Sequence, residues 1–487
     1  MKEIRLEQFT EFTFPSNLNI SSDERKLYVV LTKTDMEENA YQQQLIERDI
    51  ISGEIREITP WKKGVGYHVL KDGVYVVDND PERKGVFTTL KKITDQGLEE
   101  AFELPIAAGR ILEWDEDLWI VSSQINRSCP DFYAMSEEER KEVTDKRKEE
   151  EDYIVFDEYP FVYNGAGVIN GNRTSLFTFR KSTKEVRRIT PETFDVGSFE
   201  IISGKLIFTA NDFTTFKSKW DWIYEIDPIS GKITVLYDKK MAVHGVFEEK
   251  GKIYVRGTFA RDYGEMEASK FYELKDGEMV LRVDTEDSFF NSTGSDSRYG
   301  RNRNQAKFGG VNYFINTIRD HSVLMKLEND VFEMVAETDG CIDGFALSKD
   351  RLFVIAMLGQ QLEELYEVKD GKYELLSNWN TEVFADTYVA KPEKVIVKKA
   401  VDIEGWVLKP INFDPSKKYP GILDIHGGPK SAYGEIYYHE MQLWASRGYF
   451  VFYCNPRGSD GRGNAFADLR HQFGGIDYQD IMAFVRK

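Results

Sequence analysis

Seven short runs of β-branched and aromatic residues recur along most of this chain, and their repetition constrains the fold more than any other feature. They are Leu27–Leu31, Val74–Val77, Leu118–Val121, Leu206–Thr209, Ile253–Arg256, Tyr313–Asn316 and Leu352–Ile355. Such residues fit a pleated, half-buried surface. Most of the runs follow a turn, as at Lys71–Gly73 and Glu249–Gly251. A strand–turn–strand pattern comes next, as in Leu45–Ile58, Leu176–Ile189, Ile223–Leu236, Phe271–Met279 and Leu365–Tyr373. Ser-Gly or Asp-Gly between alternating apolar runs is a hairpin signal. A unit of about 40–50 residues built from short strands reads as one blade of a β-propeller. Seven units fit between Asn17 and Leu376.

This divides the chain into an N-terminal arm (1–20), a seven-bladed β-propeller (21–385) and a last segment (386–487). The arm carries Phe9, Phe12 and Phe14 and is predicted to pack, as a helix or in extended form, onto the residues that come after it in the chain. The blade period stretches at 123–173, which marks an insertion. Within it, Ser136 with Glu139 three residues later forms a capping-box pattern ahead of a charged helix. The arginine-rich stretch Ser297–Asn304 reads as a surface loop.

The formal net charge is −19. Such acidity disfavours nucleic acid and anionic membranes as partners. No apolar run reaches the roughly 18 residues of a membrane-spanning helix, and the first residues lack the apolar core of a secretory signal. Cys129, Cys341 and Cys454 are too far apart in sequence for a zinc knuckle. Three sparse cysteines fit a reducing, cytoplasmic setting. His439 and His471 have no further ligand at metal spacing, so neither a metal nor another cofactor is expected.

The last segment carries the chemistry. Val395–Leu408 reads as a hairpin, and Gly421–Ile425 as a buried strand that stops on His426, Gly427, Gly428 and Pro429. Glu440–Arg447 has helical spacing with Gly448 at its C-cap, and Tyr449–Cys454 is a second buried strand. Strand, loop, helix, strand is a βαβ unit. Glycines after the first strand allow close backbone approach and can aim N–H groups at an oxyanion, although spacing alone favours a plain tight turn.

Asp402–Pro410, Tyr419–Pro420, His426–Pro429, Asn455–Ser459 and Asp477–Met482, in this order, resemble the start of the catalytic domain of the prolyl oligopeptidase family, in its acylaminoacyl-peptidase-like branch. The resemblance implies serine peptidase chemistry on short peptides behind a β-propeller. It assigns Gly428 as an oxyanion-hole donor, with His426, Gly427 and Arg457 in structural support. It also suggests that Glu158 or Asp157, in the insertion, could hold a peptide's free amino terminus. The family's nucleophile lies in a G-x-S-x-G elbow on the strand after the helix that begins near Asp477. No serine in 1–487 has glycine two residues before and two after it.

The acid and the histidine follow the serine in this fold, so all three catalytic groups are expected downstream and these residues alone are expected to be inactive. The domain at 386–487 is therefore predicted to be an incomplete α/β-hydrolase, completed by the missing C-terminal half or by a second copy. A sheet that stops there exposes an apolar edge, so residues beyond Pro392 are expected to be loosely held or to need a partner. The competing reading is a non-catalytic propeller binding module, or a truncated pseudo-peptidase.

Overall fold

The computed structural model describes residues 2–78 and 87–487. Met1 of the arm and residues 79–86 of the propeller lie outside the described residues. Among the described residues, seven four-stranded antiparallel sheets succeed one another along the chain. The first is Phe14–Ile20, Lys26–Asp35, Ala40–Asp49 and Ile55–Glu57. The others span 66–104, 108–188, 194–237, 242–283, 305–336 and 341–375, the last two joined by the parallel bridge Ser322–Cys341. The fold is a seven-bladed β-propeller followed by the opening strands of an α/β-hydrolase domain.

Every predicted run is the second strand of its blade. That strand has neighbours on both sides and protein on both faces, so it reads as a continuous apolar run rather than an alternating one. Leu118, Trp119, Ile120 and Val121 are all buried. The fourth strands are short, charged and largely exposed, as in Ile55–Glu57 and Lys372–Leu375. These features blunt an outer edge against unwanted pairing. The Asp-Gly bends at 276–277 and 370–371 place both residues at positive φ, the geometry of a type I′ hairpin turn.

The chain forms two compact units, 1–65 with 260–269 and 283–487, and 66–259 with 270–282. In the second unit, Trp119, Phe177 and Phe179 centre one core, while Phe199, Leu206 and Phe208 centre the next. The insertion belongs to this unit. Pairing of Leu118–Asn126 with Asn172–Arg180 runs to the rung Asn126–Asn172, so the excursion is 127–171. Its helix, Glu137–Glu149, has the capping box: Ser136 accepts from the Glu139 N–H, and the Glu139 carboxylate accepts from the Ser136 N–H.

In the first unit, blade one begins at Phe14, inside the stretch assigned to the arm, because Phe14–Ile20 pairs with Lys26–Asp35. Residues Leu6–Glu11 form a 3-10 helix. The arm reaches the far end of the sequence. The Ile4 N–H donates to Ser446 Oγ at 3.1 Å, and His439 Nε2 lies 3.0 Å from the Leu6 carbonyl. Ile4 and Phe12 share a core with Trp406, Tyr437 and Tyr453.

The hydrolase segment is a four-stranded sheet in the order Glu393–Val397, Ile403–Leu408, Phe450–Asn455, Gly421–Leu423. The last pair is parallel and is linked by the helix His439–Ser446. The segment has apolar cover on both faces, contrary to the expectation of a loosely held stub. The arm and the 436–445 region cover one face, and Phe466, Ile481 and Phe484 the other. Gly421–Leu423 is the open edge of this sheet among the described residues.

Among the described residues no helix is long and apolar enough to cross a membrane. Arg298 departs from the surface-loop expectation. Its guanidinium lies 3.0 Å from the buried carboxylate of Asp343 and donates to the Thr293 carbonyl.

Gly405 shows how closely the helix Ile476–Val485 sits on the sheet. A Cβ there would fall 2.5 Å from the Phe484 ring and 2.6 Å from Cys454 Cβ. Overpacking of this kind costs about 1–3 kcal/mol. Gly405→Ala should lower the unfolding midpoint in urea, followed by tryptophan fluorescence. An unchanged midpoint would contradict this packing.

Candidate functional site

The strand Gly421–Leu423 delivers the backbone into the loop 424–431. Gly428 has φ +125°, a conformation that L side chains rarely adopt, and a Cβ there would lie 3.0 Å from the Lys430 nitrogen. Both Gly427 and Gly428 are exposed. Among the described residues, no group of the chain accepts a hydrogen bond from either backbone N–H. Unpaired N–H groups on a rigid glycine turn are what an oxyanion needs.

The loop is braced from several sides. His426 Nδ1 lies 3.0 Å from the Gly427 carbonyl, and Nε2 lies 3.0 Å from Ser459 Oγ. A carbonyl only accepts, and a neutral imidazole carries one N–H. Nδ1–H therefore donates to Gly427, and Nε2 accepts from the Ser459 hydroxyl. The ring packs edge-on against Tyr433, whose hydroxyl donates to Asp424.

The Asn455 amide clasps the Tyr433 backbone, accepting from its N–H at 2.8 Å and donating to its carbonyl at 2.9 Å. Further on, the Ser431 hydroxyl donates to the Ser292 carbonyl, and Lys430 Nζ donates to the Met266 carbonyl. The Asp460 N–H donates to the Ser431 carbonyl, and the Asp460 carboxylate accepts from the Ser288 hydroxyl at 2.5 Å.

Arg457 supports the loop from beneath. Its Nε and Nη2 each donate at 2.7 Å to the carboxylate of Asp480, which is fully buried on the helix Ile476–Val485. A bidentate pair of this kind fixes orientation as well as charge. Asp480, Asn455 and Ser459 were not assigned roles from sequence. Their only signal was membership in the stretches that carry the family resemblance.

The contact between Ser459 and His426 is not a nucleophile–base pair. Ser459 is 1% exposed, and the second ring nitrogen faces a carbonyl rather than a carboxylate. A base in such a pair needs a third group to orient it. The geometry makes His426 a brace for the turn.

Glu158 and Asp157 sit in the other compact unit. Glu158 is not free to take an amino terminus. Arg127 Nε at 2.9 Å and Arg173 Nη2 at 2.7 Å donate to one carboxylate oxygen, and Arg173 Nη1 at 3.0 Å and the Gly171 N–H at 2.9 Å donate to the other. Burial works against its charge, yet the Arg173 guanidinium and the Gly171 N–H hold the carboxyl below its usual range. The physical reason is that a buried carboxylate needs such partners. Asp157 stays exposed, with Asn170 Nδ2 at 3.1 Å.

A propeller followed in sequence by a hydrolase sheet, with a braced HGG-type loop that keeps its N–H groups unpaired, defines a propeller-bearing α/β-hydrolase. Residues 435–487 match the model of the prolyl oligopeptidase family. The chain belongs to that family. YuxL, an uncharacterized peptidase of Bacillus subtilis, is 37% identical over 150 residues, 30% of this chain and 23% of that protein. Dipeptidyl-peptidase 5 of Aspergillus fumigatus is 35% identical over 138 residues, 22% of this chain and 18% of that protein. The matched stretches thus span less than a quarter of these relatives' own lengths. The acylaminoacyl peptidase of Pyrococcus horikoshii is similar in fold over 99% of this chain and 72% of its own, with a TM-score of 0.77 at 21% identity. The fold is acylaminoacyl-peptidase-like.

His426 gives the site a pH signature. Burial pushes its ring below the ordinary value of 6.5. As pH falls through 6.5 the unfolded chain takes up a proton at this ring that the folded chain refuses. Its contribution is therefore complete above 6.5 and is lost as pH falls toward the folded pKa. The His426 ring signals in NMR should titrate below those of an exposed histidine. His426→Gln should flatten the loss of stability on the acid side of 6.5. Titration of His426 at or above 6.5 would contradict its burial in the neutral form.

Proposed function

We propose that this chain supplies the propeller and one oxyanion donor of a serine peptidase that cleaves short peptides. The observation that carries this reading is the pair of unpaired N–H groups at Gly427 and Gly428, on a loop braced by His426, Asn455 and Arg457. The Gly428 N–H would hold the developing oxyanion. The attacking serine, its base and its acid would come from residues outside 1–487. The open edge Gly421–Leu423 is where the next strand of the sheet, bearing the elbow, would pair. That strand would belong to the rest of the polypeptide or to a partner. The names of the matched relatives, all peptidases, support a peptide substrate. Three free cysteines suit a cytoplasmic location.

In this reading residues 1–487 alone bind no fluorophosphonate covalently and hydrolyse no peptide. A polypeptide that adds the elbow strand, acid and histidine hydrolyses short peptides. In that polypeptide, replacing the amide between Gly427 and Gly428 with an ester deletes the N–H while keeping glycine's torsional freedom. Loss of one such donor typically lowers kcat by about 10²–10³-fold. Proline would also remove the N–H, but it cannot adopt φ +125°. Covalent labelling of residues 1–487 alone, or unchanged kcat in the ester variant, would overturn the assignment.

A further inference from the structure

We propose that the aromatic hairpin region of the blade-three insertion is a docking surface for an extended peptide bearing apolar side chains and positive charge. The inference rests on the peptide-handling function proposed above and extends it to a site away from the oxyanion loop. Tyr153, Phe156, Tyr159, Phe161 and Tyr163, with Phe216 beside them, are between 37% and 65% exposed. Single exposed apolar residues are ordinary, but a concentration of large rings in one short segment marks an interaction surface.

These rings are presented on a fixed frame. The Glu158 carboxylate, with its four donors, pins the root of the segment beside the fully buried Arg173. Asn170 Oδ1 accepts from the N–H groups of Asp157 and Glu158, while its Nδ2 donates to the Val155 carbonyl. The Tyr159 N–H donates to the Thr215 carbonyl, and the Lys217 N–H donates back to Tyr159. Val162 pairs with Val168, and Tyr163 with Gly167. Phe156 stacks on Phe161 at 4.3 Å, and Tyr159 on Phe216 at 5.8 Å. Rings held in place before binding lose little freedom when a ligand arrives.

Charge selects the occupant. Glu149, Glu150, Glu151 and Asp152 lead into the segment and are exposed, and Asp157 within it is 60% exposed. Several basic groups of the surroundings are already engaged. Arg127 and Arg173 are on Glu158, Lys217 is on Asp195, and Arg147 lies over the Phe132 ring. A second copy of a chain with formal charge −19 would be repelled, as would an anionic lipid surface. Stacked rings beside a short hairpin offer an open face rather than a closed pocket, which suits an extended segment.

The test is binding rather than hydrolysis, so it is independent of the catalytic reading. Residues 1–487 are titrated against a fluorescein-labelled peptide that alternates lysine with phenylalanine, followed by anisotropy. A glutamate–phenylalanine peptide is the control. The variants are Tyr159→Ser/Tyr163→Ser/Phe216→Ser, which removes exposed rings only, and Asp157→Asn. Saturable binding of the lysine peptide is expected, weakened about tenfold or more in the triple variant. A smaller loss is expected in Asp157→Asn, with binding of the control peptide much weaker throughout. Equal affinity for the triple variant, or no preference between the two peptides, would overturn the proposal. So would a wild-type dimer that the triple variant dissolves, since the occupant would then be a second copy. Loss of peptide binding would leave the peptidase reading standing, because fluorophosphonate labelling tests that separately.

Discussion

A sheet with apolar residues on both faces cannot stand alone in water, because each face must find cover and each edge a partner or a deterrent. Every part of this molecule answers that constraint. Within each unit of the propeller, neighbouring blades cover one another, as Phe177 and Phe179 of the third blade do with Tyr75 and Leu90 of the second. Each blade's fourth strand is short and polar at the edge. The hydrolase sheet meets the same demand with different material. One face lies under Ile4, Phe12, Ile436 and Tyr437, the other under Ile481 and Phe484. Its open edge, Gly421–Leu423, is also the strand that feeds the glycine loop.

The blades were legible in the sequence because their second strands are buried on both faces, leaving an uninterrupted apolar signature at Leu118–Val121 and its counterparts. The hairpins were legible because Asp-Gly at 276–277 and 370–371 can take two positive φ values in succession at little cost. The Ser136 cap was legible because a hydroxyl three residues ahead of a carboxylate needs no tertiary information to form its hydrogen bonds. Local chemistry of this kind survives translation into a string of letters.

Long-range pairing does not. Nothing in the neighbourhood of Arg298 announces that Asp343 will receive it, and nothing near Glu158 announces Arg173. The N-terminal arm was expected to pack on the residues just after it, yet its anchor points are Ser446 and the helix that begins at His439. In the candidate site the glycine loop itself was readable, but its braces were not. Asn455 acts through a side-chain amide that substitutes for a strand partner of Tyr433, and Asp480 acts from a helix that reaches Arg457 only in three dimensions. A spacing rule cannot find groups that different elements bring together.

The arm's contacts also set an order of events during synthesis. Ile4 and Phe12 leave the ribosome among the first residues, whereas Tyr437, Ser446 and Tyr453 leave long after all seven blades have been made. The earliest apolar side chains must therefore wait, uncovered, through the production of the whole propeller. A nascent-chain chaperone has a defined target in that interval, and a bulky tag fused ahead of residue 2 would sit where the two ends of the sequence have yet to meet.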